Sequence, residues 1–266
     1  MESRHHAARF LLWALLPWTC LHLGLHFADA ILGARIRPGW GFAIGFLGVI
    51  GCSLWLSHRI RATTLGLRRA GIIVIGLFTV VVITICLVSP TEILAWATGG
   101  LLLLSTSLVG VCIGHEVQER AHLWPLIIVA VCFDLWSVTA PTGVSQNLIV
   151  SHEADAVSQF LLLSVPIPGL GLQAVLGIGD LVFSGLLIGA THTLALPWRL
   201  GLIGQWAGYG LCLMLLYLVQ LPLPALVLVG PVWGIFMVGH VRPRPKEIMY
   251  AAVFIGVAYG VQLVVT

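Results

Sequence analysis

Nine stretches of this sequence stay apolar for about 17–25 residues at a time, the length at which a helix crosses the ~30 Å hydrocarbon core of a bilayer. No other feature restricts the chain so much. In lipid, every backbone N–H and C=O must find its partner inside the protein, which leaves helices or a closed barrel. The runs are continuous and lack the one-in, one-out alternation of barrel strands, so they are read as helices. Composition agrees: 59% of residues are hydrophobic, 9% are charged and the mean hydropathy is +1.05. A water-soluble fold cannot hide that much apolar surface. The expected fold class is all-α, a polytopic membrane protein with a single transmembrane domain over 1–266.

Windows of about 19 residues place the spans near 10–33, 40–57, 71–88, 92–113, 123–140, 177–196, 199–219, 223–240 and 247–265. In the first run, Ala28-Asp29-Ala30 resembles a signal-peptide cleavage site behind an Arg-bearing start. His22, His26 and Asp29 interrupt the approach to it, so the run is read as a retained helix.

Orientation follows from the basic residues. With the N-terminus inside, cytoplasmic segments carry Arg4, Arg9, Arg59, Arg61, Arg68, Arg69, Arg120, Arg199, Arg242, Arg244 and Lys246. The outer side carries only Arg35 and Arg37, and the positive-inside rule then sets a cytoplasmic N-terminus in a cell (inner) membrane. The segment from about 141 to 176, without Lys or Arg, falls outside. In intact cells, a single cysteine at Ser145 in a background lacking the native thiols is expected to react with an impermeant thiol reagent, and one at Thr64 is not. Labelling at Thr64 instead would reverse the topology.

The six cysteines (Cys20, Cys52, Cys86, Cys112, Cys132, Cys212) all fall in apolar runs and none has metal-ligand spacing, so they read as small packing residues. No basic patch interleaved with aromatics points to nucleic acid. No convincing internal repeat of the kind found in many transporters is present.

The acids are informative. Of ten acidic residues, only Asp29, Asp134 and Asp180 sit within apolar runs or just inside their ends. An ionisable group inside a membrane segment is expensive, and marks function by default. Asp134 lies in "VCFDLWSV" of the fifth span and Asp180 in "GIGDLVFSGLLIG" of the sixth. Consecutive antiparallel helices can bring the two carboxyls to similar depth, where both cannot ionise cheaply and the pair retains one proton. Such a pair supplies a general base and a general acid together. Gly177 and Gly179 flank the approach to Asp180 without side chains, leaving room for a neighbouring backbone or a substrate. Taken singly, either aspartate could equally be a polar residue bonded within the bundle.

A third element follows after one intervening helix: Pro224-Ala225-Leu226, at the start of the eighth span. Together "FDLWSV", "GIGDLVFSGLLIG" and "PAL" resemble the presenilin and signal peptide peptidase family of intramembrane aspartyl proteases, in order and in helix spacing. The resemblance covers roughly 123–240. It implies that Asp134 and Asp180 are the catalytic pair and that Gly177, Gly179, Pro224, Ala225 and Leu226 shape the substrate site. It also implies no metal or organic cofactor, and as partners the transmembrane segments of substrate proteins within the lipid bilayer. On this division, 1–122 holds N-terminal helices without a clear counterpart, 123–240 the catalytic part, and 241–266 an additional helix.

Several positions depart from the family pattern. Phe133 stands where tyrosine is usual, and Ile178 where leucine is commoner. Four spans rather than five precede the Asp134 helix, and a further helix follows the P-A-L helix. The long insertion at which presenilins cut themselves is absent, so no self-cleavage is expected. An external loop between the aspartate helices resembles signal peptide peptidase, with substrates whose N-termini lie inside. The prepilin peptidases share G-x-G-D, but usually carry lysine two residues on, where this chain has Val182, and they lack P-A-L.

Other polar groups have competing readings. His22, His26 and Asp29, at i, i+4 and i+7, share a helix face and could bind a metal, but a polar stripe bonded to neighbouring helices suits them better. His152, Glu153 and Asp155 read as solvated loop residues. His192 and His240 lie near helix ends, where interfacial bonding suffices. "QFLLLSVPIPGLG" (159–171) is apolar but broken by Pro166 and Pro168, so it is either a loop dipping into the interface or an extended segment able to pair with a substrate backbone. A proton-coupled transporter or channel using Asp134 and Asp180 as a relay is the main alternative function.

Overall fold

The structure is a computed structural model that describes residues 2–32, 37–63, 75–76, 79–80, 92–139, 162–219 and 224–265. Most of the span expected near 71–88, and the loop residues His152, Glu153 and Asp155, lie outside the described residues. Eight long helices are present among the described residues: α1 (Glu2–Leu32), α2 (Pro38–Thr63), α3 (Glu92–His115), α4 (Leu123–Thr139), α5 (Ile178–Thr193), α6 (Trp198–Val219), α7 (Leu226–Met237) and α8 (Pro245–Val265). A one-turn 3-10 helix, Arg120–His122, leads into α4.

Among the described residues, four stretches are helical, long and apolar enough to cross a membrane: Gly39–Ile60, Trp96–His115, Arg120–Ser137 and Trp198–Leu218. The placement of polarity fits lipid as solvent. Leu23, Phe27, Ile203, Met214, Leu218, Val253 and Val257 are exposed, while Ser53, Ser57, Thr106, Ser107, Ser184 and Gln205 are buried. That inversion is expected where helices present apolar side chains to lipid tails and use small polar residues against one another.

One feature departs from an all-helical chain. Strands β1 (Leu162–Ile167) and β2 (Gly171–Gly177) form an antiparallel hairpin with Leu162 opposite Gly177 and Ile167 opposite Gly171. The prolines that rule out a helix are compatible with it, because Pro166 lies in a strand that has only one neighbour in the sheet. The turn needs glycine: Gly169 and Gly171 take φ of 80° and 71°, a region that side chains disfavour. A register shift between Leu163 and Ser164 leaves Val175 as the extra residue of a bulge on β2.

The chain divides into two compact units, Met1–Cys112 with Ala154–Gly189, and Ile113–Glu153 with Ala190–Thr266. In the first unit, Leu163, Val165 and Ile167 of β1 are almost wholly buried. They meet a glycine face of α2, where a Cβ on Gly41 would stand 2.9 Å from the Pro168 carbonyl oxygen and one on Gly45 would strike the Ile167 side chain. Trp18 of α1, 1% exposed, fills the space over Gly99 and Gly100 of α3 and donates its indole N–H to the Trp96 carbonyl at 3.0 Å. In the second unit, α4 packs against both α7 and α8, and α7 also lies along α6. The Trp124 indole donates to the Val241 carbonyl at 3.1 Å, and Arg244 pairs with Glu119 at 2.7 Å, which holds the start of α8 near the start of α4.

Candidate active site

Asp180 belongs to the first unit. β2 ends at Gly177 and α5 begins at Ile178, so the G-x-G-D stretch is a strand-to-helix junction and Asp180 stands in the first turn of α5. A carboxylate is favoured there, because the first helical N–H groups lack intrahelical acceptors and the helix dipole is positive at that end. The side chain is half-buried, and one of its oxygens lies 3.4 Å from where a Cβ on Gly177 would be. At Gly179 a Cβ would meet nothing within 4 Å. Gly177 therefore sits in contact with the Asp180 carboxylate, and Gly179 borders open space among the described residues.

The close approach of a neighbouring backbone occurs further along α5. Cβ atoms on Gly185 and Gly189 would run into the main chain of α3 at Ser107 and Val111, and one on Gly110 of α3 would run into that of α5 at Val182. From Leu181 to Thr191 nearly every residue of α5 is buried. The helix that carries Asp180 is thus a core helix, fixed by backbone contact with α3.

Asp134 belongs to the second unit. It is half-buried on α4, and one of its carboxylate oxygens accepts the Leu226 backbone N–H at 3.0 Å. This bond joins two of the three motifs. Leu226 is the first residue of α7, so its N–H is one of the donors that a helix start leaves unsatisfied. Pro224 has no N–H, and the next amides on α7 turn back to Pro224 and Ala225: Val227 to the Pro224 carbonyl at 3.3 Å, Val229 to that of Ala225 at 2.9 Å. Pro224, Ala225 and Leu226 are all buried, and together they present one N–H to the Asp134 carboxylate. Phe133, next to Asp134, packs its ring against Phe254 of α8 at 6.2 Å between centroids.

Two residues of the polar stripe of α1 have contacts within the first unit. Asp29 accepts the Gly169 backbone N–H at 2.7 Å, so it ties the end of α1 to the hairpin turn that leads through β2 into Asp180. His22 stacks at a tilt on Trp18, 5.9 Å between ring centroids. Among the described residues, no three His, Cys, Asp or Glu side chains come together in a metal-binding group. The tie from Asp29 to Gly169 was not visible in the sequence. A glycine held at positive φ in a turn exposes its N–H, but nothing in the order of residues says which acceptor will reach it. If the chain cleaves peptides as the resemblance implies, replacing His22 and His26 together by alanine is expected to preserve that cleavage within about tenfold, an effect of at most ~1.4 kcal/mol on the barrier. Complete loss in a folded variant, with metal-dependent activity in the wild type, would instead identify a metalloenzyme.

His192 has a defined setting. Its ring meets that of His115 edge-on at 5.8 Å, and His115 Nδ1 shares a 2.7 Å hydrogen bond with the Thr193 hydroxyl. Compared with known protein families, with curated proteins and with solved structures, the chain matches none.

Proposed function

We propose that this protein is an intramembrane aspartyl protease of the G-x-G-D type, spanning the membrane about nine times with its N-terminus in the cytoplasm. Asp134 and Asp180 form its catalytic pair. The observation that carries the reading is the hydrogen bond from Leu226 N–H to Asp134. Residues separated by 92 positions, singled out by the same resemblance, meet at a carboxylate. One carboxylate takes a proton from water as the oxygen attacks the scissile carbonyl, and the protonated partner hydrogen-bonds the carbonyl oxygen. On collapse of the tetrahedral intermediate, the C–N bond breaks and the departing nitrogen takes up a proton. Water and a peptide bond suffice, without metal or organic cofactor.

The substrates are transmembrane segments of other proteins. A helical substrate hides its scissile carbonyl in its own hydrogen bonds and must be drawn out locally. The hairpin supplies an extended edge immediately before Asp180, with Leu170 and Leu172 exposed, and an added strand there would open the substrate backbone. Pro224, Ala225 and Leu226 form the wall beside Asp134, and the missing side chains of Gly177 and Gly179 admit the substrate chain beside Asp180. The test is incubation of the purified protein in detergent with a panel of transmembrane peptides, read by mass spectrometry. The expected products are paired fragments cut within the apolar segment. Intact peptides together with proton flux through reconstituted protein would favour the relay reading instead.

A further inference from the structure

Gln205, wholly buried on α6, has neither its amide nitrogen nor its amide oxygen in a hydrogen bond among the described residues. Trp233, wholly buried on α7, leaves its indole N–H in the same condition. Both belong to the second unit and to one interface. A Cβ on Gly204 would stand 3.1 Å from Trp233 Cα, and one on Gly208 would stand 2.6 Å from Val229 Cα, so α6 turns its glycine face to α7. Gln205 follows Gly201 by four residues and precedes Gly208 by three, which places it on that face. A Cβ on Gly201 would lie 3.1 Å from Met237 Cε, 3.3 Å from Thr191 Oγ1 and 3.4 Å from Trp233 Nε1, so the indole nitrogen and a hydroxyl both lie beside this glycine.

An amide offers two N–H donors and an acceptor oxygen, and the indole offers one donor. Inside a membrane bundle such groups need partners, since lipid supplies none. A metal cation is a poor match, because the indole N–H can only donate. An anion is equally poor, because it has no proton to give the amide oxygen of Gln205. Water, which both accepts and donates, fits all three groups.

We infer that Gln205 and Trp233 hold buried water between α6 and α7, beside Gly201. The site lies on the same short helix whose first N–H meets Asp134, with Leu226 seven residues and roughly 10 Å along the axis from Trp233. This inference stands independently of the protease reading. If that reading also holds, the site stores a reactant inside an apolar bundle.

The test is water-to-indole magnetisation transfer by NMR on the full-length protein in detergent, labelled with 15N at the tryptophan indoles. Trp233→Phe assigns the resonance, and the exposed Trp198 indole serves as the positive control. The expected result is a cross-peak between the Trp233 indole proton and water, with the sign of a long-lived bound molecule, weakened at least fivefold in Gln205→Leu. Gly201→Ala, which puts a methyl group beside the same indole nitrogen, is expected to weaken it similarly and gives a reading if Gln205→Leu does not fold. An indole proton without a water cross-peak in the folded wild type, or a cross-peak unchanged by a folded variant at Gln205 or Gly201, overturns the inference.

Discussion

Asp134→Asn is expected to reduce the proposed peptide-bond cleavage by about a thousandfold or more, in the range of losing an acid–base group that acts as part of a unit, and to leave the protein folded. The two halves of that result separate because Asp134 does two things. Its oxygen accepts the Leu226 N–H at the start of α7, and an asparagine amide oxygen accepts the same bond, so the cap survives. An amide cannot take a proton from water, so the proposed chemistry does not. Asp134→Ala removes both and is expected to lose ~1 kcal/mol of stability as well. Asp180→Asn should match Asp134→Asn in activity, and the double variant should be no worse than either, because the carboxyls act together. Peptide mass spectrometry and thermal denaturation in detergent check the two halves. Substantial cleavage by either asparagine variant would remove the aspartyl protease assignment, and unfolding of Asp134→Asn would make the cap account wrong.

Gly110→Val is expected to destabilise the protein by about 3 kcal/mol or more, at or beyond the upper end of ordinary overpacking. Extra atoms in a core are usually accommodated by neighbouring side chains that shift. At Gly110 the obstacle is the main chain of α5, with Val182 O, Leu186 N and Gly185 Cα all in the way, and Gly185 and Gly189 repeat the contact from the other side. Moving α5 also moves Asp180 in its first turn, so remaining folded protein should lose activity too. Gly256→Ala on α8, where a Cβ meets nothing within 4 Å, is the control and should stay within about 1 kcal/mol of wild type. Equal melting temperatures for the two variants would show that the α3–α5 contact is looser than described.

Much of the helical framework was legible because lipid imposes a length. The run expected near 92–113 is the helix Glu92–His115, and that near 199–219 is Trp198–Val219. The signal fades where the backbone leaves the helix. Pro166 and Pro168 announced a break, but the pairing of 162–167 with 171–177 depends on two glycines at positive φ and a one-residue bulge, which apolar periodicity does not encode. The 177–196 run therefore begins one residue before its helix, on Gly177, the last residue of β2. Glycine showed the same blindness. Gly177 and Gly179 drew attention beside an aspartate, yet the backbone approaches on α5 occur at Gly185 and Gly189. A glycine's role depends on what faces it, and the facing helix is remote in sequence. The bond from Leu226 to Asp134 was equally hidden, although the motifs at its two ends stood out.

The bond between Asp29 and Gly169 sets a timetable for synthesis. The ribosome adds roughly 5–20 residues each second, so the 140 positions between acceptor and donor take on the order of ten seconds to make. Trp18 finds its acceptor at Trp96 sooner, 78 positions on. The first helix thus enters the bilayer with its aspartate unmatched and stays so until the hairpin emerges. A polar group kept waiting in a membrane needs water, headgroups or an insertion factor beside it. A protease acting after Ala30 in that interval would find Asp29 without this partner, whereas in the finished fold its carboxylate accepts the Gly169 N–H. The cleavage-like stretch thus gains its tie to the hairpin only once the segment it secures has arrived.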